Sequence, residues 1–586
     1  MLRSLLFLLL LAPAPALAQA AGDTCAAGRI ADVRIDNASI FDETDPDLDR
    51  RFRWAYRAAN AVHVRTRAWV IRRELLFAPG DCFDPFLLEE SERVLRAYDF
   101  LSDVEITAAA QADGGQVVTV ATRDEWSTRV DVRLGSGLAL EGVRVTEENV
   151  LGSGQSLGVF FLDRDVQREY GAAYYTPQML GTRWDLSLEA GQTRPGTFVR
   201  QEVAYPYVGE VSSWAGRQSF QREDRYFDFI ARDDRDLDAD HVLLPVREKL
   251  FDAAVVRRLG SPGNMGLLGV ALTYQELSYP GGAELAPRGR YADRGPADDS
   301  VVTRLLPHAE ELDNIRAFLL LGHRTVEWET RRGLNSMRGS EDVRLGAETG
   351  IAIGRSISAL ENDDDLYTTL SFYAGAAAGD ALLFTRARLD SRRDLNAPAD
   401  RSEWEDVYAE GEVLAYLKPT RLPRHTLFFR AAGLGAWHTR TPFQLTLGGA
   451  HALRGYDRER LPGGRRLVLN LEDRIYFGWP LRDVLDMGGT VFADAGQIWK
   501  GDVPFGASSG WRGSVGFGLR ASFPAGGRSS YRIDVAWPLE SGTRFKDFRL
   551  MISLGEAIGL HPREPDEQLL RSRPEGVAGE LFPFHR

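Results

Sequence analysis

The sequence predicts a mostly β protein: a transmembrane antiparallel β-barrel of about 16–20 strands, preceded by a small α+β domain. Three observations predict it. Apolar and polar residues alternate with period two in segment after segment between residues 127 and 558. No helical pattern interrupts that series. The chain also opens with a stretch that reads as a secretory signal peptide.

At 586 residues, the chain exceeds one ordinary globular domain unless it closes as a large barrel. Its hydrophobic fraction of 44% and mean hydropathy of -0.26 are those of a soluble protein, and no internal apolar run is long enough for a membrane-spanning helix. A barrel crosses a membrane with alternating strands and keeps its average hydropathy low, so these values do not exclude one. The net charge of -13 argues against nucleic acid as a partner.

In residues 1–20, Arg3 supplies a positive start and residues 5–11 an apolar core. Ala16-Leu17-Ala18 or Ala18-Gln19-Ala20 offers a small-x-small cleavage site. Cys25 follows Asp23-Thr24, not the small apolar residues of a lipoprotein signal. The mature chain is thus expected outside the cytoplasm with two cysteines, Cys25 and Cys82. One disulfide is the simplest reading, and two unrelated free thiols are the other.

Residues 21–126 mix helix and strand. Ile30, Val33 and Ile35 suggest a first strand, and Phe52, Tyr56 and Ala59 share one helical face. Asp84 is a good N-cap with Pro85 at the first helical position, and Leu87, Leu88, Ser91, Val94, Leu95 and Tyr98 recur at helical spacing. Val104–Thr107 and Val117–Ala121 then read as a strand pair turned at Asp113-Gly114-Gly115.

From Thr128 onward the alternation is plain. Trp184, Leu186, Leu188 and Ala190 face away from Asp185, Ser187 and Glu189. Val515, Phe517, Leu519 and Ala521 face away from Ser514, Gly518, Arg520 and Ser522. A sandwich core also has one apolar face, but a secreted chain with this many strands is most simply a closed barrel, which leaves no sheet edge in lipid. Its lumen is expected to be polar, lined by Asp131, Arg344, Glu348, Glu410, Glu412, Arg512 and Arg532. Residues 224–248 and 278–312 read as long polar loops. Asp363-Asp364-Asp365 reads as a solvated loop and not a cation site, and residues 559–586 read as a tail outside the barrel.

Several motifs carry a resemblance. Residues 74–84, around Ala78-Pro79-Gly80-Asp81, and residues 95–104, around Tyr98-Asp99-Phe100-Leu101, resemble connecting segments of a POTRA domain. Glu148-Asn149-Val150-Leu151-Gly152-Ser153-Gly154, Leu453-Arg454-Gly455-Tyr456, Asn470-Leu471-Glu472-Asp473-Arg474 and Phe492-Ala493-Asp494-Ala495-Gly496 follow in the order seen in the BamA/TamA superfamily of outer-membrane barrels. The resemblance implies a periplasmic POTRA-like domain that captures peptide by strand addition at a sheet edge; a domain that only spaces or plugs the barrel is the other reading. It also implies that the loop bearing Arg454 folds back into the lumen as an internal lock. Period two puts Glu472, Arg474, Phe492, Asp494 and Gly496 on the luminal face. Arg454 would meet that acidic wall in charge-assisted hydrogen bonds, Gly455 would permit close approach, and Tyr456 would pack on the wall. Asp473 falls on the apolar face. Family barrels usually have 16 strands, and the range of 16–20 here extends beyond that; many end in an aromatic residue, whereas here the last strand is followed by the tail.

The functional expectation is assistance to the insertion and assembly of outer-membrane proteins, or translocation of protein across that membrane. The alternatives are a dedicated secretion pore for one partner protein, or a passive porin-like or structural barrel. Expected partners are outer-membrane lipid (lipopolysaccharide and phospholipid), an unfolded or secreted client polypeptide, and periplasmic accessory proteins. No catalytic, cofactor-binding or metal-ligating residue is expected. The sequence holds no Gly-x-Ser-x-Gly elbow or His-Glu-x-x-His helix, and its nine histidines form no ligand-spaced cluster.

Overall fold

The computed structural model describes residues 25–554, apart from 42, 44–49, 113, 135–139, 165, 233, 235, 288–289, 358–363, 400, 482–483, 524 and 528–529. The signal peptide, the tail from 559, Asp363 and the turn residue Asp113 therefore lie outside the described residues.

The N-terminal region runs β1 (Ile30–Ala38), α1 (Arg53–Val62), α2 (Ala68–Glu74), α3 (Pro85–Arg96), β2 (Leu101–Ala110) and β3 (Gln116–Asp124). Its sheet has the order β1-β3-β2, with β1 parallel and β2 antiparallel to β3. The start of α3 has a local cause: the Asp84 carboxylate accepts a hydrogen bond from the Phe86 amide at 3.0 Å, and Pro85 needs no partner for its nitrogen. Val70, Ile71, Leu95, Val118 and Val120 form the core between helices and sheet. Cys25 and Cys82 are joined as a disulfide, which ties the entry to β1 to the connection before α3. The short helix α2 is not anticipated by period, because Trp69-Val70-Ile71 is a continuous apolar run that fits helix or strand equally.

Among the described residues, 20 strands make the barrel. They run in chain order from Thr128–Leu134 to Arg549–Leu554, and the last lies beside the first. On the N-terminal domain's side, connections include two-residue turns such as the one between Ser261 and Asn264. The two longest connections, 279–311 and 438–464, lie at the far end. The side chains alternate as the period demands. Val270, Ile351, Ile353, Phe517 and Leu519 are exposed on the outer face, whereas Arg324, Glu348, Arg532 and Asp534 are buried inside. An outer apolar band around a charged interior is stable only with lipid outside. Near the domain side that band ends in an aromatic group: Trp184 lies 5.4 Å from Tyr205, which stacks 4.4 Å from Trp214. Such rings sit at the boundary between lipid and water.

Strand length is uneven around the ring. His241–Ser261 and Leu312–Arg332 have 21 residues each, while Asp185–Thr193 and Thr197–Tyr205 have nine each.

Two loop expectations are corrected. Asp365, expected in a solvated loop, begins the strand Asp365–Ala378 and is buried, its carboxylate accepting from Arg316 Nε at 2.9 Å. Most of 224–248 is not loop but the ends of two long strands, Trp214–Ile230 and His241–Ser261. The Asp- and Arg-rich composition conceals an inner apolar row of Phe227, Phe229, Val242, Leu244 and Val246. Across the ladder, Arg247 donates to Asp224 at 2.6 Å. The segment 279–311 does connect two strands, but it folds. Its helix Asp299–Leu305, capped by Asp298, sets Val301 and Leu305 against that same apolar row. The polar residue on the outer face at Asp473 also gains a reason: His425 on the adjacent strand lies 2.9 Å from its carboxylate, next to the domain-side turn.

If the outer band faces lipid, Val270→Arg at mid-strand should destabilise the inserted barrel by about 2–4 kcal/mol, whereas Leu259→Arg beside a turn should cost about 0–1 kcal/mol. Urea titration of the barrel folded in lipid vesicles measures both.

Candidate functional site: a charge cluster in the lumen

The loop 438–464 does not stay at the far end but enters the barrel. Gln444 fixes one side of it, accepting from the Ile230 amide at 2.7 Å and donating to the Ile230 carbonyl at 3.1 Å. Within the loop, Leu445–Thr446 pairs with Pro462–Gly463. Leu447, Leu453 and Tyr456 then pack with Phe443, Val468 and Ile498 against the wall. The loop thus brings a small apolar core of its own, which sets the position of its polar tip.

At that tip, the Arg454 guanidinium is forked onto two carboxylates. Its Nε and Nη2 donate to Asp494 at 2.9 and 2.6 Å, and its Nη1 donates to Glu472. The Arg454 amide also donates to Asp494, at 3.2 Å. The guanidinium carbon lies 3.6 Å from the centre of the Phe492 ring, so one face of the cation is covered by π density. Asp494 is completed by Asn470 Nδ2 at 2.8 Å and Ser514 Oγ at 3.2 Å. Glu472 also accepts from Arg474 at 2.8 Å and from Arg532 at 3.0 Å, and Arg532 bonds Asp534 at 2.7 Å. Three guanidinium groups therefore face three carboxylates, each residue 4% exposed or less. Charges buried to this degree persist when they are balanced and hydrogen-bonded.

The glycines have steric reasons. A Cβ on Gly455 would meet the Ser514 Cβ and the Trp537 backbone carbon, both at 2.7 Å. One on Gly496 would meet the Leu467 carbonyl oxygen at 2.9 Å and Leu447 Cδ1 at 3.0 Å. Tyr456, two residues beyond Arg454, is 6% exposed in the loop's apolar contact. All eight residues expected at the lumen contact, Arg454, Gly455, Tyr456, Glu472, Arg474, Phe492, Asp494 and Gly496, thus meet at one place. The loop also reaches the seam: Asp457 bonds Arg549, in the last strand, at 2.7 Å.

Sequence reasoning missed the second half of this network. The domain-side turn 333–339 folds into the lumen and crosses to the opposite wall. Arg474 Nη1 donates to the Leu334 carbonyl at 2.9 Å, Arg520 donates to the Asn335 carbonyl, and Arg338 bonds Asp486 at 2.9 Å. Glu341 holds the turn in shape by accepting from the Leu334 amide at 2.8 Å and the Asn335 amide at 2.9 Å. Because Arg474 and Arg454 share Glu472, loop and turn are parts of one network. Asp534 could have been read from its luminal alternation with Arg532. Nothing in Gly333-Leu334-Asn335-Ser336-Met337 announces a turn that spans a lumen.

The early Asn-Val-Leu-Gly motif has a different place. Asn149 Nδ2 donates to Thr66 Oγ1 at 2.7 Å, and a Cβ on Gly152 would collide with the Arg65 carbonyl oxygen. The motif seats the N-terminal domain on the first barrel hairpin. Gln178-Met179-Leu180-Gly181 repeats the turn: Leu151 and Leu180 have φ of 52° and 53°, and Gln178 bonds Glu74 at 2.6 Å. Deeper in the lumen, beside the first strands, lies a cavity of about 510 Å³ lined by charges of both signs, among them Arg144, Arg200, Glu189 and Glu223.

Residues 432–558, which contain the Arg454 loop and the carboxylate wall it meets, match the family model of the Omp85 superfamily domain. That segment of the barrel is similar to an Omp85 superfamily domain. The match agrees with the BamA/TamA resemblance carried by the motifs. The chain is similar to BamA from Haemophilus ducreyi lacking POTRA domains 1-3, at 14% identity over 89% of this chain and 84% of that one, with a TM-score of 0.37. It is similar to CdiB from Escherichia coli at 12% identity over 90% and 76%, with a TM-score of 0.45. It is similar also to CdiB from Acinetobacter baumannii at 11% identity over 90% and 74%, with a TM-score of 0.39. No curated protein matches the chain.

Removing the shared cation leaves two buried carboxylates facing each other without it. Arg454→Ala in this barrel should cost about 3–5 kcal/mol. An Arg454→Asp, Asp494→Arg exchange should recover part of the loss and Arg454→Asp alone none. The temperature at which the folded barrel loses its fast migration on gels reads the order of the three.

Proposed function

We propose that this protein is an outer-membrane assembly or translocation barrel of the BamA/TamA type, whose seam opens to admit client polypeptide. The observation that carries the reading is the loop fastened across the lumen, which ties the C-terminal wall through Arg454 and the last strand through Asp457. The Arg454 cluster holds the neighbouring C-terminal wall rigid, so that separation falls at the seam. An opened seam presents unpaired strand edges, and these template an incoming strand with no cofactor.

The N-terminal domain, read as POTRA-like and periplasmic, is the client's first contact. Its sheet order leaves β1 and β2 as edge strands, each able to accept an extended segment. Clients are recognised through main-chain hydrogen bonds and alternating side chains, so many sequences qualify. No residue of the site has a chemical step to perform. A cross-link between Thr128–Leu134 and Arg549–Leu554 should abolish assembly of client barrels in reconstituted vesicles while the locked protein still inserts. Normal activity of the locked form would reject seam opening.

A second reading, a dedicated secretion pore, draws on the charged lumen and its loop plug. Deleting residues 450–466 should then raise single-channel conductance sharply. Unchanged conductance would reject the loop as the plug.

A further inference from the structure

One face of the N-terminal domain differs from the rest of this acidic chain. Between residues 50 and 73 the sequence holds eight arginines and no aspartate or glutamate, in a protein of net charge -13. The segment forms α1 and α2, and its outward residues are apolar as well as basic. Trp54 is 72% exposed, and Val62, Val64 and Trp69 are also exposed. Along α1, positions 54, 58 and 62 fall on one stripe, flanked by exposed Arg53 and by Arg57, which donates to Glu43 at 3.3 Å. An exposed apolar stripe between arginines is a poor surface against water and a good one against a charged lipid interface.

The surroundings extend the same face. The turn 148–155 abuts Val64, with an ideal Cβ on Gly152 3.5 Å from Val64 Cγ1. The turn at Gly181 abuts the Arg73 guanidinium, which itself covers Trp69 at 4.5 Å. Each turn carries a leucine outward in the left-handed conformation, Leu151 and Leu180, the latter 95% exposed. A β-branched or large residue at positive φ is strained, and neither leucine packs in a core that would compensate. Both turns join lipid-facing strands. Trp184 of the aromatic group that ends the apolar band is four residues from Leu180. The basic face is thus continuous with the membrane boundary, on the N-terminal side of the seam.

We propose that the face formed by α1, α2 and the two leucine turns docks on anionic phospholipid headgroups beside the first two barrel hairpins. Arginines meet the phosphates, while Trp54, Trp69, Leu151 and Leu180 enter the boundary between headgroup and acyl chain. This rests on the membrane reading of the barrel but not on what the barrel assembles or exports. Docking holds the domain against the leaflet next to the seam, so a chain bound to the domain is kept at the lipid boundary where it must enter. An acidic protein segment is the competing occupant. Charge alone would attract it, but it gives no reason for two leucines at the lipid boundary.

The test uses full-length protein in nanodiscs with the native disulfide oxidised and a nitroxide on Val62→Cys. With phosphatidylglycerol in the disc, the label should lose accessibility to a water-soluble nickel chelate and gain accessibility to oxygen. In discs of phosphatidylcholine alone it should remain open to the chelate. Arg53→Glu, Arg67→Glu and Arg72→Glu together should abolish the difference while the barrel keeps its heat-dependent gel shift. Equal chelate accessibility in both lipids would overturn the proposal. So would protection that arises in phosphatidylcholine discs only on adding a polyglutamate peptide, which would assign the face to a protein partner. The two-lipid comparison on the labelled parent protein stands even if the triple variant fails to fold.

Discussion

The Arg454 guanidinium, divided between Asp494 and Glu472 inside the barrel, is the interaction on which the rest of the lumen depends. A barrel of 20 strands encloses more space than its own wall side chains can fill. Something must occupy that space or the ring is free to deform. Here the loop 438–464 and the turn 333–339 enter from opposite ends. Their polar tips meet at neighbouring arginines on the two sides of one glutamate. A buried ion network of this kind is weak evidence for stability, because apolar residues of equal volume often do as well. Its more secure role is placement. A guanidinium flanked by two carboxylates and a phenyl ring has one good position, and an apolar plug would have many.

Placement has a mechanical consequence. The carboxylates and their partners sit on four successive strands of the C-terminal wall, through Glu472, Asp494, Ser514 and Asp534. Asp457 carries the link on to Arg549 in the last strand. The first barrel strands have no such tie to the loop tip among the contacts described; they bear on the cavity of about 510 Å³ and, through Asn149 and Gln178, on the N-terminal domain. The two sides of the seam are therefore braced by different bodies, one by the loop and the other by the domain. A ring assembled in that way separates most readily where the two braces meet.

Much of this was legible in the sequence because period two is a strong signal when repeated. The luminal side of Glu348, Glu412 and Arg532 and the outer side of Val515 and Phe517 follow from alternation alone. The meeting of Arg454 with Asp494 followed from motif resemblance joined to that alternation. What was hidden has physical reasons. At 224–248, charge composition masked an apolar row that is buried only because a helix from 279–311 comes to cover it. The helix α2 is too short and too uniformly apolar to show a period. The turn 333–339 lacks any local signature because its conformation is dictated by Arg474, Arg520 and Asp486 on strands far away in the chain. Local sequence predicts local structure, and a segment shaped by remote partners carries no record of them in its own residues.

The most direct measurement of the central claim is backbone hydrogen exchange across residues 447–464 of the protein in lipid, compared with Arg454→Ala. A loop held by the buried fork keeps the amides of Leu453, Arg454 and Tyr456 protected in the parent protein. In the variant they should exchange at the rate of an open loop, while the strands Arg465–Leu481 and Leu485–Trp499 remain protected in both. Fast exchange of those amides in the parent, or unchanged protection in the variant, would contradict the claim that Arg454 holds the loop in the lumen.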